Sequence, residues 1–418
     1  MRPQILGALL GLIVLPGTLL GFEVQAVIQK VDADQNALIV VGGGQQRTVK
    51  VATGARFVDE QGKTLAGGLM AKQLKAGAVV MLSIQRDRTG PTIQAVRLGG
   101  TGGQASGRVG AQSGPPSVGR PTVGFKPLTE MTAGDKYKGQ EGGLYGNGNN
   151  EPPEPHRQAA ELETAKIAPL NSAGKPSSDG QIVLISISMS NATMEFSTFK
   201  KLADADPQKS GRLSIVDCAQ GGQTMLRWAD PEGPPWAEAL RRLQAAGVTP
   251  AQVQIAWIKL ANARPSGELA EHGKKLESDT LRVLHSAQAR FPNLRIAYLG
   301  SRIYGGYADG PLNPEPYAYE GAFVARWLIQ AQIHGDAGLN FDPRRGAVQA
   351  PLLLWGPYLW ADGTTPRKSD GLVWLRQDLV TDGTHPSESG RQKVADQLLN
   401  FFKTDSLAKS WFVQSERR

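Results

Sequence analysis

The chain has a single cysteine, Cys218, in 418 residues, so no intrachain disulfide can form and the fold must rest on core packing. Cys218 closes the apolar run 213–218, the setting of a buried, inert thiol rather than a nucleophile. Histidine is scarce too, with five residues. His156 stands among prolines and reads as part of a solvated turn. His272 and His285 fall on a long polar helical stretch and are expected in solvent, and His334 follows a helix end. None of these four is spaced with a second ligand as a zinc site requires, so neither a metal nor a cofactor is expected. The sequence also lacks any stripe of Lys and Arg interleaved with aromatics, which excludes nucleic acid as an expected partner. Its one long apolar run, residues 5–20, carries Gly7, Gly11, Pro16 and Gly17 and follows Arg2. That run is short for a membrane span and has the charged start of a secretory signal. Residues 1–21 are therefore read as a signal peptide or an uncleaved N-terminal anchor, with Gly21 and Ala26 as small cleavage-site residues. No cysteine lies near to carry a lipid. A secreted or periplasmic location follows.

What remains has the composition of a soluble globular protein of two or three domains, 40% hydrophobic and 20% charged. The formal charge is +8, and residues 22–100 hold ten Lys or Arg against six Asp or Glu. This small basic region is suited to contact with an anionic surface or polymer. Short β-type runs at 24–31, 37–41, 48–52, 78–85 and 92–98, broken by turn residues, predict a small OB-like or SH3-like barrel over residues 22–98. Closing the sheet removes exposed edges. Residues 99–122 are rich in Gly, Ser and Pro and read as a flexible linker. Residues 123–180 have little periodicity and are expected to form an extended arm.

From residue 181 to 403, apolar runs at 182–187, 213–218, 253–260, 294–299 and 351–355 alternate with helical stretches. This alternation predicts an α/β domain, a flavodoxin-like parallel sheet with helices on both faces, followed by a tail over 404–418. In such sheets chemistry collects where loops leave the carboxyl ends of strands.

Three of those ends carry candidates, and a fourth candidate precedes the last helix. After the first run, Ser190 occupies a tight strand-to-helix turn, where a hydroxyl faces the crevice and backbone N–H groups can meet an oxyanion. After the second, Gly221 or Gly222 lets a backbone amide approach a ligand. After the third, Asn262 can donate its side-chain amide. Before the last helix, Asp382-Gly383-Thr384-His385-Pro386 places a carboxylate and an imidazole three residues apart, with Ser387 as helix cap. His385 can act there as a general base whose tautomer Asp382 fixes.

This order of Ser, Gly, Asn and Asp-x-x-His resembles the SGNH hydrolase family, also called GDSL esterases, over about residues 180 to 403. The resemblance implies Ser190 as nucleophile, His385 as base, Asp382 as its orienter, and Gly221 or Gly222 with Asn262 and the Ser190 N–H as oxyanion donors. The chain departs from the family pattern in two blocks. It has Ser188-Met189-Ser190 in place of Gly-Asp-Ser, and Leu260-Ala261-Asn262-Ala263 in place of Gly-x-Asn-Asp. The implied activity is metal-free ester hydrolysis through an acyl-enzyme.

Aromatic residues in late loops, Tyr304, Tyr307 and Trp360 above all, suit stacking on sugar rings and are expected to bind substrate. With an exported chain and an accessory barrel, they point to removal of short acyl groups from a carbohydrate or another small ester. The alternative is a non-catalytic protein that retains the fold and grips a polysaccharide.

Overall fold

The computed structural model describes residues 21–42, 45–59, 63–87, 90–98 and 120–414. The expected signal peptide, save its last residue Gly21, and nearly all of the expected linker lie outside them. The chain divides into two compact units, Met1–Ser113 and Gly114–Arg418.

In the first unit, strands β1 (Gly21–Asp32), β2 (Ala37–Gly42), β3 (Gln45–Val58), β4 (Val79–Asp87) and β5 (Gly90–Leu98) close into a barrel in the order β1-β2-β3-β5-β4. That closure is of the five-stranded OB type. Alternate residues point inward, so Ile28, Leu38, Val40, Val49, Val51, Leu82, Ile93 and Val96 fill the interior with Phe57 and Leu74.

The second unit begins with a segment of little regular structure: a short hairpin of β6 (Lys136–Tyr137) and β7 (Gln140–Glu141), then helix α1 (Glu154–Thr164). Its polar backbone is tied down by the rest of the unit. The N–H groups of Val123 and Gly124 donate to the Asp362 carboxylate at 2.7 and 2.8 Å, and the Leu128 N–H donates to Tyr358 Oη at 3.1 Å. The docked segment starts earlier than the sequence suggests. The Arg120 N–H already bonds the Gly306 carbonyl, and the Pro121 carbonyl accepts from the Thr364 N–H.

The remaining elements are β8 (Ile182–Ile187), α2 (Ser190–Ala205), β9 (Leu213–Val216), α3 (Met225–Trp228), α4 (Pro234–Ala245), β10 (Val253–Lys259), α5 (Leu269–Arg290), β11 (Ile296–Gly300), α6 (Tyr317–Ile333), β12 (Leu352–Trp355), α7 (Glu388–Thr404) and α8 (Lys409–Phe412). Five parallel strands form one sheet in the order β12-β11-β10-β8-β9. The described residues of β8, β10, β11 and β12 are buried throughout, as expected of strands covered by helices on both faces. Strand order reverses between β8 and β10, and the crevice opens there.

Residues 404–414, expected as a tail, pack into this unit. Trp411 and Phe412 are buried against Phe402, and the Phe412 carbonyl accepts from the Ser210 N–H. Two histidines also differ from expectation. His156 is 5% exposed, with Nε2 2.8 Å from the Leu353 carbonyl, and His272 is 8% exposed and bonded to the Glu320 carboxylate.

Candidate active site

Ser190 is the first residue of α2, directly after the turn that leaves β8. Its position at the helix N-terminus surrounds its hydroxyl with unsatisfied backbone N–H groups and the positive end of the helix dipole. Ser190 Oγ lies 2.7 Å from His385 Nε2, and His385 Nδ1 lies 2.6 Å from Asp382 Oδ2. The other carboxylate oxygen, Oδ1, accepts the backbone N–H groups of Thr384 and His385 at 2.8 and 2.9 Å. Asp382 is therefore fixed by the same loop whose imidazole it orients. Burial pushes its carboxyl up, but the bond from His385 and those two N–H groups outweigh burial and hold it at about 2.

Loop 380–387 is held from several sides. The Val380 N–H bonds the His385 carbonyl, the Asp309 N–H bonds the Asp382 carbonyl, and Asn191 Nδ2 donates to the Thr384 carbonyl at 2.9 Å. Gly383 has φ +63°, and a Cβ there would sit 1.6 Å from the Tyr307 carbonyl oxygen. Glycine is required at this point. Ser387 then caps α7, its Oγ donating to the Gln377 carbonyl and accepting from the Gly390 N–H.

Beside Ser190 and His385 is a cavity of about 80 Å³, lined also by Met189, Gly222, Ala261, Asn262, Arg302 and Leu312. Gly222, at φ +76°, reaches the cavity wall; Gly221 does not. Asn262 follows β10, and both ends of its amide have partners. Oδ1 accepts the Leu226 N–H at 2.9 Å and Nδ2 donates to Asp279 Oδ2 at 2.7 Å. An amide nitrogen carries two hydrogens, so one N–H is left for the cavity.

Two charged residues lie behind this wall. Lys259 Nζ pairs with the Glu195 carboxylate at 2.7 Å to Oε1, both side chains wholly buried. Burial draws both toward neutrality, raising Glu195 and bringing Lys259 down to about 8, and their mutual attraction opposes it.

The expected aromatic subsite is not at this cavity. Tyr304 and Trp360 are fully buried and Tyr307 is 5% exposed. Tyr304 Oη donates to the Arg120 carbonyl, Trp360 Nε1 donates to Glu315, and the Tyr304 and Tyr307 rings pack edge to face. Their faces are covered by neighbours, so they offer no platform to a sugar, and the Tyr307 carbonyl lies against Gly383 of the His385 loop. Residues not singled out in the sequence complete the site: Asn191, Asp279, Arg302 and Asn313. Arg302 stands just past the end of β11, where the rule about strand ends could have found it. Asp279 lies on a helix rich in charge and carries no such mark.

An ordered Ser–His–Asp chain of this kind can move a proton from a hydroxyl to an imidazole while the carboxylate stays ionised. Among the described residues, no three His, Cys, Asp or Glu side chains are grouped to hold a metal.

No protein-family model matches the chain, and no curated protein does. Among solved structures, it is similar to a candidate acylhydrolase from Bacteroides fragilis, with 12% identity and a TM-score of 0.31, over 62% of this chain and 100% of that one. It is also similar to a candidate platelet activating factor from Streptococcus pneumoniae, with 12% identity and a TM-score of 0.27, over 59% of this chain and 90% of that one. A third similar structure is apo-CusF from Escherichia coli, with 6% identity and a TM-score of 0.17, over 22% of this chain and 100% of that one.

Proposed function

We propose that the chain is an exported serine ester hydrolase of the SGNH type that removes short acyl groups. The observation that carries this reading is the hydrogen-bonded sequence Ser190 Oγ, His385 Nε2, His385 Nδ1, Asp382 Oδ2, with contacts of 2.7 and 2.6 Å. Ser190 Oγ attacks the ester carbonyl as His385 Nε2 takes its proton. The imidazolium, steadied by Asp382, returns that proton to the departing alkoxide. Water then repeats both steps on the acyl-enzyme and frees Ser190. The Ser190 and Gly222 N–H groups and the free N–H of Asn262 receive the oxyanion.

The small cavity supports a short acyl group. Its volume is about 80 Å³. Met189, Ala261, Ala263 and Leu312 give its wall apolar surface. With Tyr304, Tyr307 and Trp360 buried, carbohydrate as the alcohol rests on the barrel region alone, whose net positive charge is suited to an anionic polymer. Export rests on residues 1–20; no helix among the described residues is long and apolar enough to cross a membrane.

The test is hydrolysis of p-nitrophenyl acetate and butanoate by the purified chain, beside Ser190→Ala and His385→Ala variants shown to be folded by circular dichroism. Each variant is expected to lose roughly 10³-fold or more in kcat. Absence of hydrolysis by the unmutated chain, or activity that survives Ser190→Ala, would overturn the reading.

A further inference from the structure

Arg302 is 3% exposed, and it lines the cavity that holds Ser190 and His385. A guanidinium has five N–H donors. Among the described residues its one hydrogen bond runs from Nη2 to the Thr384 carbonyl at 3.3 Å, and Nε is buried without a partner. Three carboxylates feel its charge, Glu195, Glu315 and Asp382, and all three are engaged elsewhere. Glu195 is held by Lys259, and Asp382 by His385. Glu315 accepts from Trp360 Nε1 and from the N–H groups of Gly305 and Tyr319, at 2.7 to 2.9 Å. No described carboxylate forms a salt bridge with Arg302.

Taking a cation out of water costs several kcal/mol unless its donors are met. In the cavity wall Met189, Ala261, Ala263 and Leu312 supply no acceptor side chain, and the acceptors of Asn191, Thr224 and Asn262 make no described hydrogen bond to Arg302. Asn313, also in the wall, has its own Oδ1 buried without a partner. A fixed, under-bonded guanidinium thus stands in the wall of the space where an ester would bind.

We propose that Arg302 is a specificity-determining residue that binds a carboxylate carried by the substrate, so that the preferred esters are anionic, with the charge a few atoms from the scissile carbonyl. This rests on the ester-hydrolase reading. Guanidinium and carboxylate match in shape as well as charge, and a buried pair of this kind discriminates strongly against a neutral analogue. The carboxylate can belong to the acyl group, as in the half-ester of a short dicarboxylic acid, or to the alcohol, as in an acetylated hydroxy acid or uronic acid.

Two substrate pairs separate these sources. Mono-p-nitrophenyl succinate against p-nitrophenyl butanoate tests the acyl side, and 3-acetoxybenzoate against phenyl acetate tests the alcohol side. In one pair, kcat/KM for the anionic ester is expected to exceed that for the neutral one at least tenfold, mainly through KM. Arg302→Gln is expected to bring that ratio to within about twofold of one, and Arg302→Lys to retain part of it. Equal rates in both pairs with the unmutated chain, or a ratio that persists in Arg302→Gln, overturn the proposal. A measurement on the unmutated chain guards against a variant that does not fold. Propanoate in the millimolar range is expected to shift the His385 imidazole resonances, whereas propanamide is not, and identical responses overturn the proposal. If no ester is hydrolysed, the ester-hydrolase reading fails, and this titration still decides whether the cavity takes a carboxylate.

Discussion

Asn262 donates its side-chain amide to Asp279 Oδ2 at 2.7 Å, bridging the loop after β10 to helix α5. With Oδ1 held by the Leu226 N–H, the amide cannot flip without losing both bonds. Asp279, 1% exposed and paired with Arg282, thus fixes the Asn262 amide beside the cavity. Asp279→Asn is expected to lower kcat about tenfold to a hundredfold with KM changed less than threefold. Asn262→Ala is expected to cost roughly 10²–10³ in kcat. If Asp279 acts through Asn262, the double variant is no slower than Asn262→Ala alone, as steady-state kinetics of all four chains will show. Additive losses would assign Asp279 a purely structural part.

Gly383 separates the carboxylate from the imidazole, and its φ of +63° faces the Tyr307 carbonyl at a distance that leaves no room for a Cβ. Gly383→Ala is expected to displace the loop, lowering kcat at least a hundredfold and stability by ~2 kcal/mol or more. Gly222 makes the useful contrast, since its φ is +76° but nothing lies within 4 Å of the place a Cβ would occupy. Gly222→Ala should cost only ~1 kcal/mol in urea unfolding. Equal destabilisation by the two would show that φ, and not the Tyr307 contact, sets the cost.

The parts of this molecule that the sequence reveals are those governed by local periodicity. The buried parallel strands read as apolar runs, and Ser190, Asn262 and Asp382-x-x-His385 are legible because each follows a strand or precedes a helix. What stays hidden depends on contacts distant in the chain. Tyr304 and Trp360 look like loop aromatics open to solvent, but Tyr304 is tied to the Arg120 carbonyl and Trp360 to Glu315. His156 reads as a turn residue among prolines and is buried beneath the Leu353 carbonyl, 197 residues away. No periodicity marks a segment such as 120–150, held by scattered hydrogen bonds to Asp362, Tyr358 and Gly306, so its effect on burial is not legible in the sequence. Arg302 escapes notice for a simpler reason: it neighbours the more conspicuous Tyr304.

Lys259 and Glu195 form an ion pair with no exposure on either side, between the last residue of β10 and the middle of α2. Removing one partner of such a pair leaves the other charge buried and unmatched. Lys259→Met is expected to destabilise the chain by ~3–5 kcal/mol in urea unfolding, and Lys259→Met with Glu195→Leu to recover much of that loss. A cost below ~1 kcal/mol for Lys259→Met, or simple additivity in the double variant, would mean that Glu195 is already neutral in the folded chain.

Acid unfolding offers a separate test of the Asp382–His385 pairing. The Asp382 carboxyl is held at about 2, below its ordinary 3.8, so in acid the unfolded chain takes up this proton before the folded one does. The stabilisation from the ionised Asp382 carboxylate is therefore complete above about pH 5 and disappears between roughly pH 4 and pH 2. Glu238 and Asp342 are likewise held at about 2 by neighbouring arginines, so the whole chain will lose stability over the same interval. Comparison with Asp382→Asn cancels those contributions. The variant is expected to be less stable than the unmutated chain at pH 6, and the gap between their urea midpoints to close as the pH falls to about 2.5. A gap that stays constant with pH would mean that the 2.6 Å contact from His385 Nδ1 to Asp382 Oδ2 contributes orientation without stabilising the ionised carboxylate.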